Sequence, residues 1–541
     1  MRLASRTIKR RLVGFVVLAA AGTLAAAAFT PGSTAEAGTG IGFGKPVFVD
    51  THLAGGEPFV IHSRVGHDLI YSAHEGTTHL FRDGAITAPT GVTDFVTNYR
   101  NQVNIWTSHD DGKSWQRVDF NGTGFFTNPT YNTGFSDPDL TEDAGGVIYD
   151  TGIDLVNDAL FSTPDGGKTW PTGTVQCHDG DRPWLAGGHK NEVFLATNTN
   201  TGGHTVFRST DAGHSCGSFG IEDFGHGYTG YGKLYYDPTD GSIVEPVEWT
   251  DGGVTAVGVG VLPHASQAFD TQSGHFTVHK DADTADELSF FQAIGLDKAG
   301  TIYQVWAPHP RQPHTRGGCG GVATPLPNSV ELAYSTDKGV HWSKPLALAR
   351  PGTTVLWPWV QAGDAGQVSV VWYQYDRLTD PDCGSGNVSV YDANIYNATD
   401  PAKRQIQVAN VVGRPVHSGG ICQGGTACVA TGQDRRLGDY FTNALDSDGC
   451  VLVATGDTTM LDPMTHQQLP TSRPLFIKQS RGMGLYGKPC VAAASVPRAT
   501  KVTVPVSGNR PLATTGLPLA LPLIALALVL SSVVVRRRRS G

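Results

Sequence analysis

The stretch STDKGVHW, Ser335 to Trp342, sets a hydroxyl, a carboxylate, a glycine and an indole at fixed offsets. The same spacing returns in SHDDGKSW (Ser108, Asp110, Gly112, Trp115) and in TPDGGKTW (Thr163, Asp165, Gly167, Trp170). A further copy, STDAGHSC, keeps Ser209, Asp211 and Gly213 but ends in Cys216. Such recurrence marks an internal repeat, and its residue types suit a tight turn. The Asp carboxylate accepts backbone N–H bonds, glycine supplies a positive φ, and the indole packs on a sheet. We read it as a turn between the outer strands of a repeated unit, in the second halves of the first four units.

A looser repeat surrounds it. EPFVIHSRVGHDLIYSAH, SDPDLTEDAGGVIYDTG, DRPWLAGGHKNEVFLATN, GKLYYDPTDGSIVEPVEW, FFQAIGLDKAGTIYQVWA, LWPWVQAGDAGQVSVVWYQ and GDYFTNALDSDGCVLVATG each run from a polar or aromatic entry through an apolar strand, a Gly/Asp turn and a second strand. That is the hairpin pattern, with no long helical period between units. The 68 glycines and a charged fraction of only 16% suit many short strands and tight turns. The expected fold is all-β: a propeller of four-stranded antiparallel blades, seven favoured and six the alternative. Lys45 to Asp50 (KPVFVD) is expected to lend an outer strand to the last blade and close the ring.

The ends carry different signals. Arg2, Arg6, Lys9, Arg10 and Arg11, an apolar run and Ala35–Ala37 follow the order of an export leader, with cleavage before Gly38 and a leader of 1–37. At the other end, Leu517 to Val535 gives nineteen uncharged residues, long enough to span a bilayer, and Arg536 to Arg539 form a basic stop. The segment 512–541 therefore contains a transmembrane expectation at 517–535, and 496–511 reads as an extended stalk after a propeller of 38–495. The body is expected outside the cell, held to the wall or by a single span. The even cysteine count agrees: Cys177, Cys216, Cys319, Cys383, Cys422, Cys428, Cys450 and Cys490 are disulfide candidates, and pairing of neighbours in chain order is the arrangement we favour among 105. No metal or cofactor is expected, and a net charge of −9 without blocks argues against nucleic acid.

The turn motif resembles the Asp box, or BNR repeat, of the sialidase-like β-propellers. The likeness covers about residues 45 to 490 and is specific at the boxes. Leu512, Ala513, Thr514, Thr515 and Gly516 resemble a sortase sorting signal, which implies Thr515 joined to peptidoglycan by sortase. In a propeller the entry ends of the first strands ring a central channel. Aligning the units puts Glu57, Asp137, Asp139, Asp181, Arg182, Trp184, Lys233, Tyr235, Phe291, Gln292, Trp357, Trp359, Asp439 and Tyr440 there. We assign Asp181, Trp184, Lys233, Trp357, Trp359 and Asp439 to ligand binding, because indoles cover sugar C–H faces and charges hold hydroxyls.

Sialidase chemistry would need three arginines, a tyrosine nucleophile with a glutamate base, and an acidic proton source. The family's early Phe/Tyr-Arg-Ile-Pro motif is absent around Arg64. Arg182 and Arg436 are the best cations, Tyr440 the nucleophile candidate, Glu245 or Glu248 the base, and Asp137 or Asp139 the acid. His62, His67, His74 and His79 read as exposed loop or strand residues. The leading expectation is a surface propeller recognising glycan or another extracellular ligand, with an exo-acting, sialidase-like glycoside hydrolase as the alternative.

Overall fold

The structure, a computed structural model, describes residues 40–74, 103–118, 136–154, 157–174, 180–199, 204–222, 231–251, 254–262, 292–309, 329–425, 433–469 and 471–491, with short isolated stretches at 81–82, 85–86, 177, 275–279, 285–287 and 428. The expected leader, stalk, sorting pentapeptide and terminal span lie outside these residues, as do Cys319, His79 and Phe291. No described helix is long and apolar enough to cross a membrane.

Seven radial sheets make the ring, which settles the blade number in favour of the larger expectation. Blade I pairs Gly56–His62, Leu69–His74, Val103–Ser108 and Gln116–Arg117 in that order outward. Blade II uses Ser136–Glu142, Ile148–Asp154, Asn157–Thr163 and Thr172–Thr174; blade III uses Gly180–Gly187, Val193–Thr199, His204–Ser209 and Gly217–Glu222. Blade IV begins at Tyr235–Tyr236 and ends at His275–His279, and blade V runs from Ala293–Leu296 to Leu346–Ala347. Blade VI starts at Val355–Ala362 and blade VII at Thr442–Leu445. Inner strands touch from blade to blade and from VII back to I, except that blade IV reaches the inner strand of blade V through its second strand, Ile243–Asp251.

Closure is made by the N-terminal residues. Val47 and Phe48 pair with Phe476 and Leu475, and Gly42 and Phe43 with Arg481 and Gln479, so the last blade combines both ends of the propeller. The KPVFVD expectation therefore describes the ring closure.

The repeated turns have one hydrogen-bond pattern. In blade I, Gly112 N donates to Ser108 Oγ (2.9 Å), Ser108 Oγ to Asp110 Oδ1 (2.9 Å), and Ser114 N to the same carboxylate (2.8 Å). Thr163/Asp165/Gly167 in blade II and Ser209/Asp211/Gly213 in blade III repeat it, between the third and fourth strands. The copy at Ser335, Asp337 and Gly339 belongs to blade V, not to the fourth unit. Between the third and fourth strands of blade IV, Val254–Leu262 and His275–His279, the sequence holds no Ser-x-Asp-x-Gly.

These turns also brace the ring. A Cβ on Gly112 would lie 2.1 Å from Phe476 of blade VII, and one on Gly167 would lie 2.9 Å from Ile70 of blade I. Lys338, in the blade V turn, pairs with Asp237 of blade IV. Each turn thus packs on the preceding blade, and at Gly112 and Gly167 the glycine is needed for close approach as well as for its positive φ.

Three disulfides, Cys177–Cys216, Cys422–Cys428 and Cys450–Cys490, follow the neighbour pairing, and Cys383 is also disulfide-bonded.

Candidate functional site: the channel entry

Four first strands begin with the same backbone device. Glu57, Asp137, Arg182 and Trp357 each precede a proline and have φ of 48°, 53°, 62° and 51°. Proline brings no N–H to the ladder, and the register shifts there in all four blades. A left-handed non-glycine residue before proline is strained, so four at one end of a channel mark a place where the fold holds costly geometry. Blade VII meets the same need with Gly438 (φ 78°), whose Cβ would lie 2.3 Å from Glu57.

The bulges turn the residues after each proline into the channel. Phe59, Trp184 and Trp359, joined by Tyr440, form a mutual ring cluster with centroid separations from 5.4 to 6.4 Å. All four are at most 4% exposed, so they plug the channel. In blade II the corresponding position is Asp139, which accepts from Lys233 Nζ at 2.5 and 2.7 Å; Lys233 also donates to Leu185 O at 2.7 Å and lies 5.4 Å from the Phe59 ring centre. Burial raises the Asp139 pKa to about 6 against the pull of Lys233, and burial likewise lowers that of Lys233.

This corrects several sequence-based roles. Trp184, Trp359 and Lys233 are internal parts of the plug rather than a ligand platform, because a ring must be exposed to cover a sugar. Trp357 is also buried, its Nε1 donating to Gln423 at 2.9 Å. The Tyr440 hydroxyl donates to the Pro138 carbonyl at 2.7 Å, and burial with surrounding carboxylates pushes its pKa well above the ordinary value, the reverse of nucleophile activation. Glu245 is bound by His204 (2.8 Å), whose ring stacks on Tyr231 at 3.9 Å, and not by Tyr440.

Arg436 is 1% exposed and engaged by Asp434 (2.6 and 3.0 Å), the Leu469 carbonyl and Gln468. Arg64 binds Glu142 at the far end of its strand, and Arg182 lies 3.9 Å from Asp181. These three arginines have separate partners and do not form the cluster that sialidase chemistry requires.

What the entry does bring together is a crown of carboxyl groups around Glu57. Glu57 Oε1 accepts from Asp439 N (3.0 Å) and Oε2 from Asp137 N (3.1 Å), while His74 Nε2 lies 2.8 Å away. One side chain thereby ties blades VII, I and II together. Burial together with neighbouring negative charge raises the pKa values of both Glu57 and Asp137. A buried carboxyl pair of this kind retains a proton where isolated carboxylates would lose it.

Arg435 forms a two-pronged ion pair with Asp439. Burial works against its charge, but Asp439, Glu57 and Asp137 outweigh that and hold the guanidinium protonated. Asp181 is exposed and Arg182 half-buried at the margin of the same entry.

Sequence reasoning placed Glu57 at the rim without giving it a role, and missed Arg435 and His74. The Glu57–Pro58 dipeptide carries the same signal as Asp137–Pro138. Nothing local separates Arg435 from Arg436, since only the tertiary contacts show which faces the crown. His74 is a strand residue but buried at 1% exposure, because Glu57 draws it inward.

No family model and no curated protein matches the chain. Among solved structures it is similar to YCF48 from Cyanidioschyzon merolae (9% identity, 81% of this chain and 99% of that one, TM-score 0.37). It is also similar to a Trypanosoma rangeli sialidase mutant displaying trans-sialidase activity (11% identity, 64% and 54% covered, TM-score 0.35). A third is the six-bladed fucose-recognising lectin of Aleuria aurantia (12% identity, 68% and 99% covered, TM-score 0.33). The propeller assignment for this chain rests on its own strand pairing.

Proposed function

We propose that this is an exported surface propeller that binds an extracellular glycan at the channel entry and does not perform sialidase chemistry. The observation that carries the reading is the margin of the entry: the exposed Asp181 beside Arg182, on a strained bulge and held by a rigid, buried crown of Glu57, Asp137, Asp439 and Arg435. A carboxylate acceptor and a guanidinium donor side by side are suited to sugar hydroxyls, and the crown and plug beneath them give a floor. Disulfides at blade III and around blade VII, with the leader-like N-terminus, support an oxidising, external location.

A glycan array probed with the whole chain tests it. We expect retained ligands, with affinity falling at least about tenfold in Asp181→Ala and Arg182→Ala while thermal melting is unchanged. An array without hits, or hits indifferent to both substitutions, would overturn the reading.

The hydrolase reading keeps one supporting feature, the raised pKa values of the neighbouring Glu57 and Asp137. Asp137 N donates to Glu57 Oε2 at 3.1 Å, so the two acids brace adjoining strands rather than flank the gap of roughly 5 Å or more between the carboxyl groups of a glycosidase. Turnover of fluorogenic glycosides abolished by Tyr440→Phe would reverse our preference.

For the C-terminus we propose covalent attachment to peptidoglycan through Thr515 by sortase. A wall-digest peptide ending at Thr515 and bearing a peptidoglycan fragment is the expected mass-spectrometric product, and intact 512–541 in the mature chain the contrary one.

A further inference from the structure

The plug divides the channel, and the compartment on its other side has a different chemistry. Two cavities, about 560 and about 330 Å³, open at the hairpin-turn ends of the first strands, and their walls share Arg64, Glu142 and Lys233. Phe59 and Leu140 line the larger one, so its floor is the underside of the plug. We propose that this bowl is a second binding site, separate from the entry crown, and that it takes an acidic saccharide of the uronic acid kind.

The argument is one of presentation. Ion pairs surround the bowl, and in two of them the anion is the more deeply buried partner. The Arg64 side chain is 59% exposed against 9% for Glu142, and Lys478 is 24% exposed against 5% for Asp446. Glu142 holds Arg64 Nε at 2.9 Å, and the carbonyls of Glu142 and Asp143 accept from Nη2, which leaves Nη1 without a protein partner among the described residues. Lys298, 60% exposed, donates from Nζ to Asp364 Oδ1 at 2.7 Å and lies 3.7 Å from the centre of the Tyr486 ring, which together fix the ammonium at the cavity wall. The bowl therefore offers a carboxylate the Nη1 of Arg64 on blade I, with the Lys298 ammonium, shared with Asp364, on blade V.

The rest of the lining suits hydroxyl groups. His62 and His67 lie side by side with ring centres 5.7 Å apart. Gln361 and Ser447 add polar side chains to the same wall.

Calorimetric titration of the whole chain with trigalacturonate, against neutral maltotriose, tests this. Trigalacturonate is expected to bind, less tightly as salt is raised, and maltotriose at least tenfold more weakly. Lys298→Ala and Arg64→Gln should each weaken trigalacturonate at least tenfold with an unchanged melting temperature, and Lys344→Ala, outside the cavity lining, should not. No binding at millimolar trigalacturonate, equal binding of maltotriose, or indifference to both bowl substitutions would overturn the proposal. Because Asp181→Ala and Arg182→Ala report on the entry, either site can fail alone.

Discussion

At Gly112 a single missing atom serves two needs. Its φ of 79° disfavours a side chain, and Phe476 of the neighbouring blade occupies the space a Cβ would take, at 2.1 Å. Gly112→Ala should therefore cost about 2–4 kcal/mol, from backbone strain plus overpacking. A urea titration reads it, and a loss under about 0.5 kcal/mol would contradict the bracing role. Glu57 shows the same economy with a side chain: both its oxygens accept from neighbouring blades, while its strained backbone makes room for Pro58. Such roles were partly legible. The boxes and the residue-before-proline pattern could be read directly. Whether Trp184 or Trp359 faces a ligand or another ring could not, because exposure depends on what three other blades bring to the axis.

Among elements, the plug and the repeated turns carry different loads. The plug is dry and densely packed, so Trp359→Ala should leave a cavity and cost about 3–5 kcal/mol. Calorimetry is the check, and a cost near 1 kcal/mol would mean that the rings are not a common core. The outer turns are mostly solvated, and their carboxylates gain from local donors alone: Asp337 is drawn down to about 2, first by the His341 side chain and then by its N–H. Each turn is recognisable in sequence because all its partners lie within a few residues. Plug residues come from blades up to hundreds of positions apart, and no spacing rule links them.

Over the whole molecule, closure and pH response are collective. The strands at Gly42–Phe43 and Val47–Phe48 complete blade VII, so removing residues 40–50 should expose the edge at Arg473–Arg481 and open the ring. We expect the truncated chain to melt at least about 5 °C lower and to associate in solution, read by scanning calorimetry and light scattering; an unchanged melting point would refute ring closure by that segment.

The pH response has two arms. Burial raises Asp139 to about 6 and Asp392 to about 7, and moves Glu57 and Asp137 upward with help from neighbouring charge. The folded state then binds more protons than the unfolded one, so this stability is full below the ordinary carboxyl range and is lost as pH rises through 6 to 7. Asp110, Asp165, Asp211 and Asp337 are shifted down, so theirs is present above the ordinary range and lost as pH falls below about 4. Maximal stability is expected between about pH 4 and 6, with melting temperature falling toward pH 8; a maximum at or above pH 7.5 would show that the buried carboxyls do not hold their protons.

The chain's own order of residues determined the all-β architecture, the repeat, the outer turns and the closing segment, because hairpin periodicity and turn chemistry are local properties of a polymer. Only the tertiary structure decided that the axis is blocked by four rings, that Tyr440 and Arg436 are braces, and that Glu57, Asp137 and Arg435 meet. Those outcomes depend on side chains from distant blades competing for one small volume, where burial and mutual charge, not spacing along the chain, determine what each group can do.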